Sequence, residues 1–188
     1  MGRLLSLNDE DDERELIMSE FLNINNKIGE ETVNTHQQYL TFLLGDDIYG
    51  VDILRVQEVR GWTKVREIPN TPEYVKGVLD LRGTIVPIID LRLRLSIEEV
   101  EYTPITVVIV LAIEVGDEKY VIGVVVDTVS DVLDVDKEKI KKSPNFGTHI
   151  EPEFIEGMVM ADAGMVVLMN IDKMLNPDEL SALQDMAE

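Results

Sequence analysis

The sequence has no cysteine. Disulfides, thiolate nucleophiles and cysteine-ligated metals are therefore excluded, which suits a reducing cytoplasmic setting. Its two histidines, His36 and His149, stand apart with no cluster of metal-ligating residues around them, so neither a metal site nor a cofactor is expected. Basic residues are scarce: 17 Lys and Arg stand against 37 Asp and Glu, a formal net charge of -20. Such a chain repels phosphate backbones and anionic headgroups, which argues against nucleic-acid partners and against docking on lipid. Long apolar runs are also missing. The longest, Ile105 to Ile113, includes Thr106 and is about half the ~20 residues of a membrane helix, so direct membrane insertion is not expected. Leu4, Leu5 and Leu7 are too few for a signal peptide, and acids follow at once. Met1-Gly2 with Ser6 fits the loose myristoylation pattern, which we read as a chance match. The start at Met1 is what an independent gene product would show.

Motifs of catalysis are absent too. The chain has no Gly-x-Ser-x-Gly elbow, no P-loop, no Gly-x-Gly-x-x-Gly turn and no EF-hand loop. Aromatics are only 5% of residues, yet apolar residues reach 45%, carried by Val, Ile and Leu. That is enough for a core, and β-branched residues place it in strands.

Residues 1–36 read as an acidic extension, either disordered or holding one marginal helix. Ile17, Phe21, Ile24 and Ile28 recur at helical spacing after the charge run Asp9 to Glu13, and Gly29 would stop the helix. From Gln38 the pattern is β. Tyr39–Leu44 and Ile48–Val51 form a hairpin, and Ile53–Val59 is ambiguous between strand and short helix. Val75–Leu81 pairs with Ile85–Leu91 across Arg82-Gly83-Thr84. Pro87 inside the return strand predicts an edge or a bulge, because it has no N–H to give to a ladder. Ile105–Val115 and Lys119–Asp127 form a second long hairpin, and Phe154–Met160 with Met165–Asn170 a third. Residues 176–188 read as a helix with Asn176 as N-cap, Pro177 at N1 and Glu179 at N3. Leu180, Leu183 and Met186 would give its buried stripe.

The chain carries an internal duplication. Pro72-Glu73-Tyr74-Val75-Lys76-Gly77-Val78 recurs without a gap as Pro152-Glu153-Phe154-Ile155-Glu156-Gly157-Met158. Tyr49-Gly50-Val51 followed by Val56-Gln57-Glu58-Val59 has the spacing of Ile122-Gly123-Val124 followed by Val129-Ser130-Asp131-Val132. Two copies of a small β unit, each with about five strands, can protect their edges by closing into barrels. A groove between two such barrels is a natural partner site.

Arg82 is the strongest candidate anchor, since a planar and permanently charged group at a hairpin turn suits an interface. Its purely structural role would be an ion pair with Asp80 or Glu58. Asp90, Arg92 and Arg94 belong to the same charged cluster. Trp62 reads as a cap on the core, and Met158, Met160, Met165 and Met169 as core filling.

Val56-Gln57-Glu58-Val59-Arg60-Gly61, Ile68-Pro69-Asn70-Thr71-Pro72 and Lys76 through Arg92 together resemble the CheW family signature. Val121 to Leu133 and Val167 to Leu175 are similar to that family's second half. The resemblance covers residues 38 to 175. It implies an all-β fold of two fused five-stranded SH3-like barrels, with a CheW-like domain over 37–175 divided into subdomains at about 37–100 and 101–170. It implies a scaffold without catalytic activity. Its implied partners are the regulatory domain of the histidine kinase CheA and the cytoplasmic tip of methyl-accepting chemoreceptors, with possible assembly into membrane-associated arrays. Mapped motif by motif, the partner-binding positions are Val56, Glu58, Gly77, Arg82, Val107 and Val132. A regulatory module of a related chemosensory pathway, or of a kinase or regulator fusion, is the alternative.

Overall fold

The computed structural model describes residues 35–97, 101–142 and 150–187. The expectations for residues 1–34 and for His149 lie outside these residues, as does the side chain of Met186.

Ten strands are described: β1 (His36–Leu44), β2 (Asp47–Asp52), β3 (Val56–Gly61), β4 (Val75–Leu81), β5 (Thr84–Asp90), β6 (Val107–Val115), β7 (Glu118–Val126), β8 (Thr128–Asp136), β9 (Ile155–Ala161) and β10 (Gly164–Met169). Two helices accompany them, α1 (Leu91–Arg94) and α2 (Pro177–Ala187). No helix among the described residues is long and apolar enough to cross a membrane. The ambiguous segment resolves into both of its alternatives. Ile53–Arg55 is a 3-10 turn, capped by the Asp52 side chain, which accepts from Leu54 N at 2.9 Å, and β3 follows directly. At α2 the N-terminal signals operate as a reciprocal box. Asn176 Oδ1 accepts from Glu179 N at 2.8 Å, and Glu179 Oε2 accepts from Asn176 N at 2.9 Å. Leu180 and Leu183 are buried.

The strands form two five-stranded sheets with orders β8-β1-β2-β10-β9 and β3-β6-β7-β5-β4. Under the duplication β2 matches β7, β3 matches β8, β4 matches β9 and β5 matches β10. Exchanging counterparts turns one order into the other. Each sheet, however, draws on both copies. The first combines β1 and β2 with β8, β9 and β10; the second combines β6 and β7 with β3, β4 and β5. The division into consecutive subdomains at 37–100 and 101–170 is therefore corrected: each copy gives two strands to one sheet and three to the other. The exchange runs through short crossovers: the 3-10 turn at 53–55 and the single residue Asp127 lead each chain half out of one sheet into the next.

Parallel contacts seal the exchange. β2 pairs with β10 (Gly50 opposite Leu168) and β7 with β5 (Gly123 opposite Ile88). The two glycines are counterparts. A Cβ on Gly123 would fall 2.5 Å from Ile88 Cδ1, so the bulky partner occupies the space a side chain would need.

Pro87 sits in β5, which is an interior strand rather than an edge. Val78, opposite Pro87, spends both backbone groups on Arg66 (N donating to Arg66 O at 2.9 Å, O accepting from Arg66 N at 3.2 Å). The Pro87 nitrogen thus points toward β7, and pairing with β7 begins only at Ile88. Locally, the proline is at an edge after all.

One face of each sheet encloses its own cluster. Tyr39, Val135, Val159, Val166 and Leu168 fill the first sheet, and Val65, Val86, Ile88, Val108, Val110 and Val125 the second. Neighbouring residues on the opposite faces, such as Phe42, Leu44, Ile109, Leu111 and Ile113, are equally buried. Central strands hidden on both faces account for the unbroken valine-rich runs.

Candidate functional site

In the second sheet β3 and β4 are the two edges, and curling brings them together. Segment 62–66 closes the gap, with Arg66 pairing to Val78 and Val65 inside the core. Gly77 permits this closure. Its φ is +140°, and an added Cβ would lie 2.0 Å from Arg66 O.

Above this closure lie Glu58 and Arg82. Glu58 is opposite Val110 and Arg60 opposite Val108, both of them core valines. Cross-strand partners share a face, so both charged side chains lie on the side of the core at its open edge. Arg82 reaches over from the β4–β5 hairpin, its Nη2 3.7 Å from Glu58 Oε2, while 89% of its side chain remains exposed. The hairpin is a two-residue turn, Leu81 opposite Thr84, with positive φ at both Arg82 (54°) and Gly83 (86°), the signature of type I′. Asp80 does not pair with Arg82. Its Oδ1 accepts from Gly83 N at 2.8 Å and fixes the turn. Beneath, Arg60 Nε is buried with no hydrogen-bond partner among the described residues.

The other sequence-selected positions divide. Val56 and Val107 are buried, Val56 directly after the 3-10 crossover and Val107 at the start of β6 opposite Gly61. Val132 is half-buried in β8, opposite Leu40, and belongs to the first sheet. The structure thus brings Glu58 and Arg82 together, sets Val56, Val107 and Gly77 in the framework beneath, and places Val132 on the other sheet.

Sequence reasoning grouped Asp90, Arg92 and Arg94 with Arg82, but their environments differ. Arg92 is 1% exposed. Its Nε and Nη2 donate to the two oxygens of Asp90 at 3.0 and 2.8 Å, and Nη1 donates to Asp127 Oδ1 at 2.8 Å and Glu101 O at 2.5 Å. Asp127 Oδ2 accepts in turn from Gly45 N at 2.7 Å, so one guanidinium ties the second sheet to the β1–β2 turn of the first. Burial alone would lower the Arg92 pKa, but its hydrogen bonds to Asp90 and Asp127 outweigh this and raise it. The available signal was position: a charged pair flanked by Ile88-Ile89 and Leu91 is too apolar a setting for an exposed cluster.

Tyr102 extends the network. Its hydroxyl donates to Asp90 Oδ2 at 2.6 Å, and its ring stacks on Trp62 with centroids 4.7 Å apart. Trp62 packs against the second core, the capping role expected of it. Arg94 lies between Tyr74 and Phe154, counterparts in the duplication, at 5.2 and 4.8 Å from their ring centroids. Beside it a cleft of about 410 Å³ is lined by Phe154, Lys173, Asn176 and Glu179 among others. Tyr74 donates to Glu179 at 2.6 Å; burial and that bond push its pKa up to about 12. The raised Tyr74 and Tyr102 hydroxyls thus hold structure rather than exchange protons near neutrality.

The methionines also separate. Met158 and Met169 are buried as expected, but Met160 and Met165 are exposed. They correct the reading of all four as core filling: at the turn end of the β9–β10 hairpin no other element among the described residues covers Met160 and Met165.

Comparison with known proteins matches residues 38–179 to the CheW-like domain family. The chain is 43% identical over 162 residues to chemotaxis protein CheW of Klebsiella aerogenes, covering 86% of this chain and 94% of that one. It is 34% identical over 146 residues to the probable chemotaxis protein CheW of Rhizobium etli, covering 78% and 92%. Among solved structures it resembles the scaffolding protein TtCheW of Thermoanaerobacter tengcongensis, with a TM-score of 0.69 and 29% identity over 81% of this chain and 96% of that one.

Proposed function

The chain belongs to the CheW-like family, and from that membership we propose that it is a scaffold coupling chemotaxis receptors to their histidine kinase. In this reading it carries out no catalytic step. It works in the cytoplasm and reaches membrane receptor arrays through its partners, the regulatory domain of CheA and the cytoplasmic tip of the chemoreceptors.

The observation that carries the reading is the Arg82 tip. An almost fully exposed arginine is held in a left-handed conformation by a rigid turn, over Glu58 and the open edge of a small barrel. Most residues other than Gly, Asn or Asp avoid that conformation, so an arginine there is more readily explained by contact than by folding. Val56, Gly77 and Val107 serve the same face from beneath, by setting the position of β3, β4 and β6. Val132 would extend the partner surface onto the first sheet. A receptor helix can lie with its apolar face against such a surface. Coupling needs only that receptor binding differ between signalling states. An exchanging scaffold binds with dissociation constants on the order of micromolar, about 8 kcal/mol.

The test is capture of a kinase regulatory domain and of a receptor cytoplasmic fragment by the purified chain, beside Arg82→Ala. Capture by the native chain, weakened by the substitution with circular dichroism unchanged, is expected. Folded native protein that captures neither partner would overturn the reading.

A further inference from the structure

Met160 and Met165 are cross-strand partners in the β9–β10 hairpin, 72% and 47% exposed. Directly opposed residues on one face of a sheet have Cβ atoms about 4.5–5.5 Å apart, so the two thioethers share one patch of surface. Their counterparts in the β4–β5 hairpin are Asp80 and Ile85, paired in the same register. There the carboxylate of Asp80 faces water and caps the turn. The fold therefore accepts a charged group at the position of Met160 and does not demand an apolar one. Met158, Met169 and Met174, by contrast, are buried.

We propose that Met160 and Met165 form a peroxide-sensitive modification site. The reaction is thioether oxidation by a hydroperoxide. A sulfur lone pair attacks the peroxide oxygen, the O–O bond breaks and an S–O bond forms. Sulfur gives up two electrons, and hydrogen peroxide leaves as one water after proton transfer. The product sulfoxide is polar and chiral, and sulfoxide reductases return it to the thioether. Oxidation of both residues converts an apolar patch into a polar one. It leaves the fold intact, since neither sulfur lies in a core.

The test uses the full chain under native conditions with hydrogen peroxide as the probe, followed by peptide mass spectrometry over time. The expected result is gain of one oxygen each at Met160 and Met165 while Met158, Met169 and Met174 remain thioethers. The melting temperature should stay unchanged, and reductases of the two stereospecificities should reverse the gain. Met160→Leu/Met165→Leu should melt with the native chain and gain no oxygen in this hairpin. Oxidation at the three buried methionines as early as at Met160 and Met165, in protein whose circular dichroism is intact, would overturn the proposal.

Discussion

Arg82 and Glu58 face each other at 3.7 Å across the gap between the two edge strands of the second sheet, with Arg82 almost wholly in water. With Arg82 so exposed, the pair contributes about 0–1 kcal/mol to stability. Replacing Arg82 with alanine should therefore leave the urea midpoint nearly unchanged. Arg82→Asn should go further and stabilise the chain by about 0.5–1 kcal/mol, because asparagine suits a left-handed turn position that costs other residues about 1–2 kcal/mol. The same variant should lose partner capture. A midpoint that falls in Arg82→Asn would show that the arginine supports the hairpin itself.

Arg92 should behave in the opposite way. Removing one member of a buried, hydrogen-bonded charge pair costs about 3–5 kcal/mol. Arg92→Ala leaves Asp90 buried and unbalanced and frees Asp127 from its hold on the β1–β2 turn. Equilibrium denaturation should show a loss of that size, and the indole emission of Trp62, stacked on Tyr102, should change with it.

Two glycine counterparts should differ sharply. At Gly77 an added Cβ meets the Arg66 carbonyl at 2.0 Å on a backbone with φ of +140°. At Gly157 an added Cβ meets Ile140 Cγ2 at 2.5 Å and the Lys141 carbonyl oxygen only at 3.1 Å, on a backbone without a positive φ. Gly77→Ala should cost on the order of 3 kcal/mol or more, and Gly157→Ala distinctly less. Denaturant midpoints of the two variants decide this.

Alkaline stability follows from Tyr49 and Tyr74. Burial, and for Tyr74 also its bond to Glu179, raises both from 10.0 to about 12. The unfolded chain then loses these protons before the folded chain does. Their contribution to stability is complete below pH 10 and is lost as pH rises toward 12. Thermal melting followed from pH 9 to 12 should fall across that window, and less steeply in Tyr74→Phe.

The exchange of strands between sheets predicts that neither half folds alone. Fragments cut between residues 97 and 101 should each lack a cooperative transition, because each sheet takes strands from both. Mixed, they should regain native-like circular dichroism. A fragment that melts cooperatively on its own would contradict the interleaved topology.

Much of this molecule was legible in its sequence. The hairpins at Arg82-Gly83 and Gly116-Asp117, the Asn176–Glu179 cap and the duplicated Pro-Glu-aromatic block are local features, set by turn chemistry and by the period of a strand, which act within a few residues. What the tertiary structure decided was which strands are neighbours and which charges meet water. Arg82 and Arg92 are ten positions apart in nearly the same local sequence, Leu-Arg, yet one is exposed at a tip and the other sealed between two sheets. Met158 and Met160 differ by one strand period, yet one is buried and the other is not. Period and propensity do not record which sheet a copy's later strands join. The strand exchange, a long-range pairing, settled that, and it placed Asp127 beside Arg92 and Arg94 between Tyr74 and its repeat counterpart Phe154.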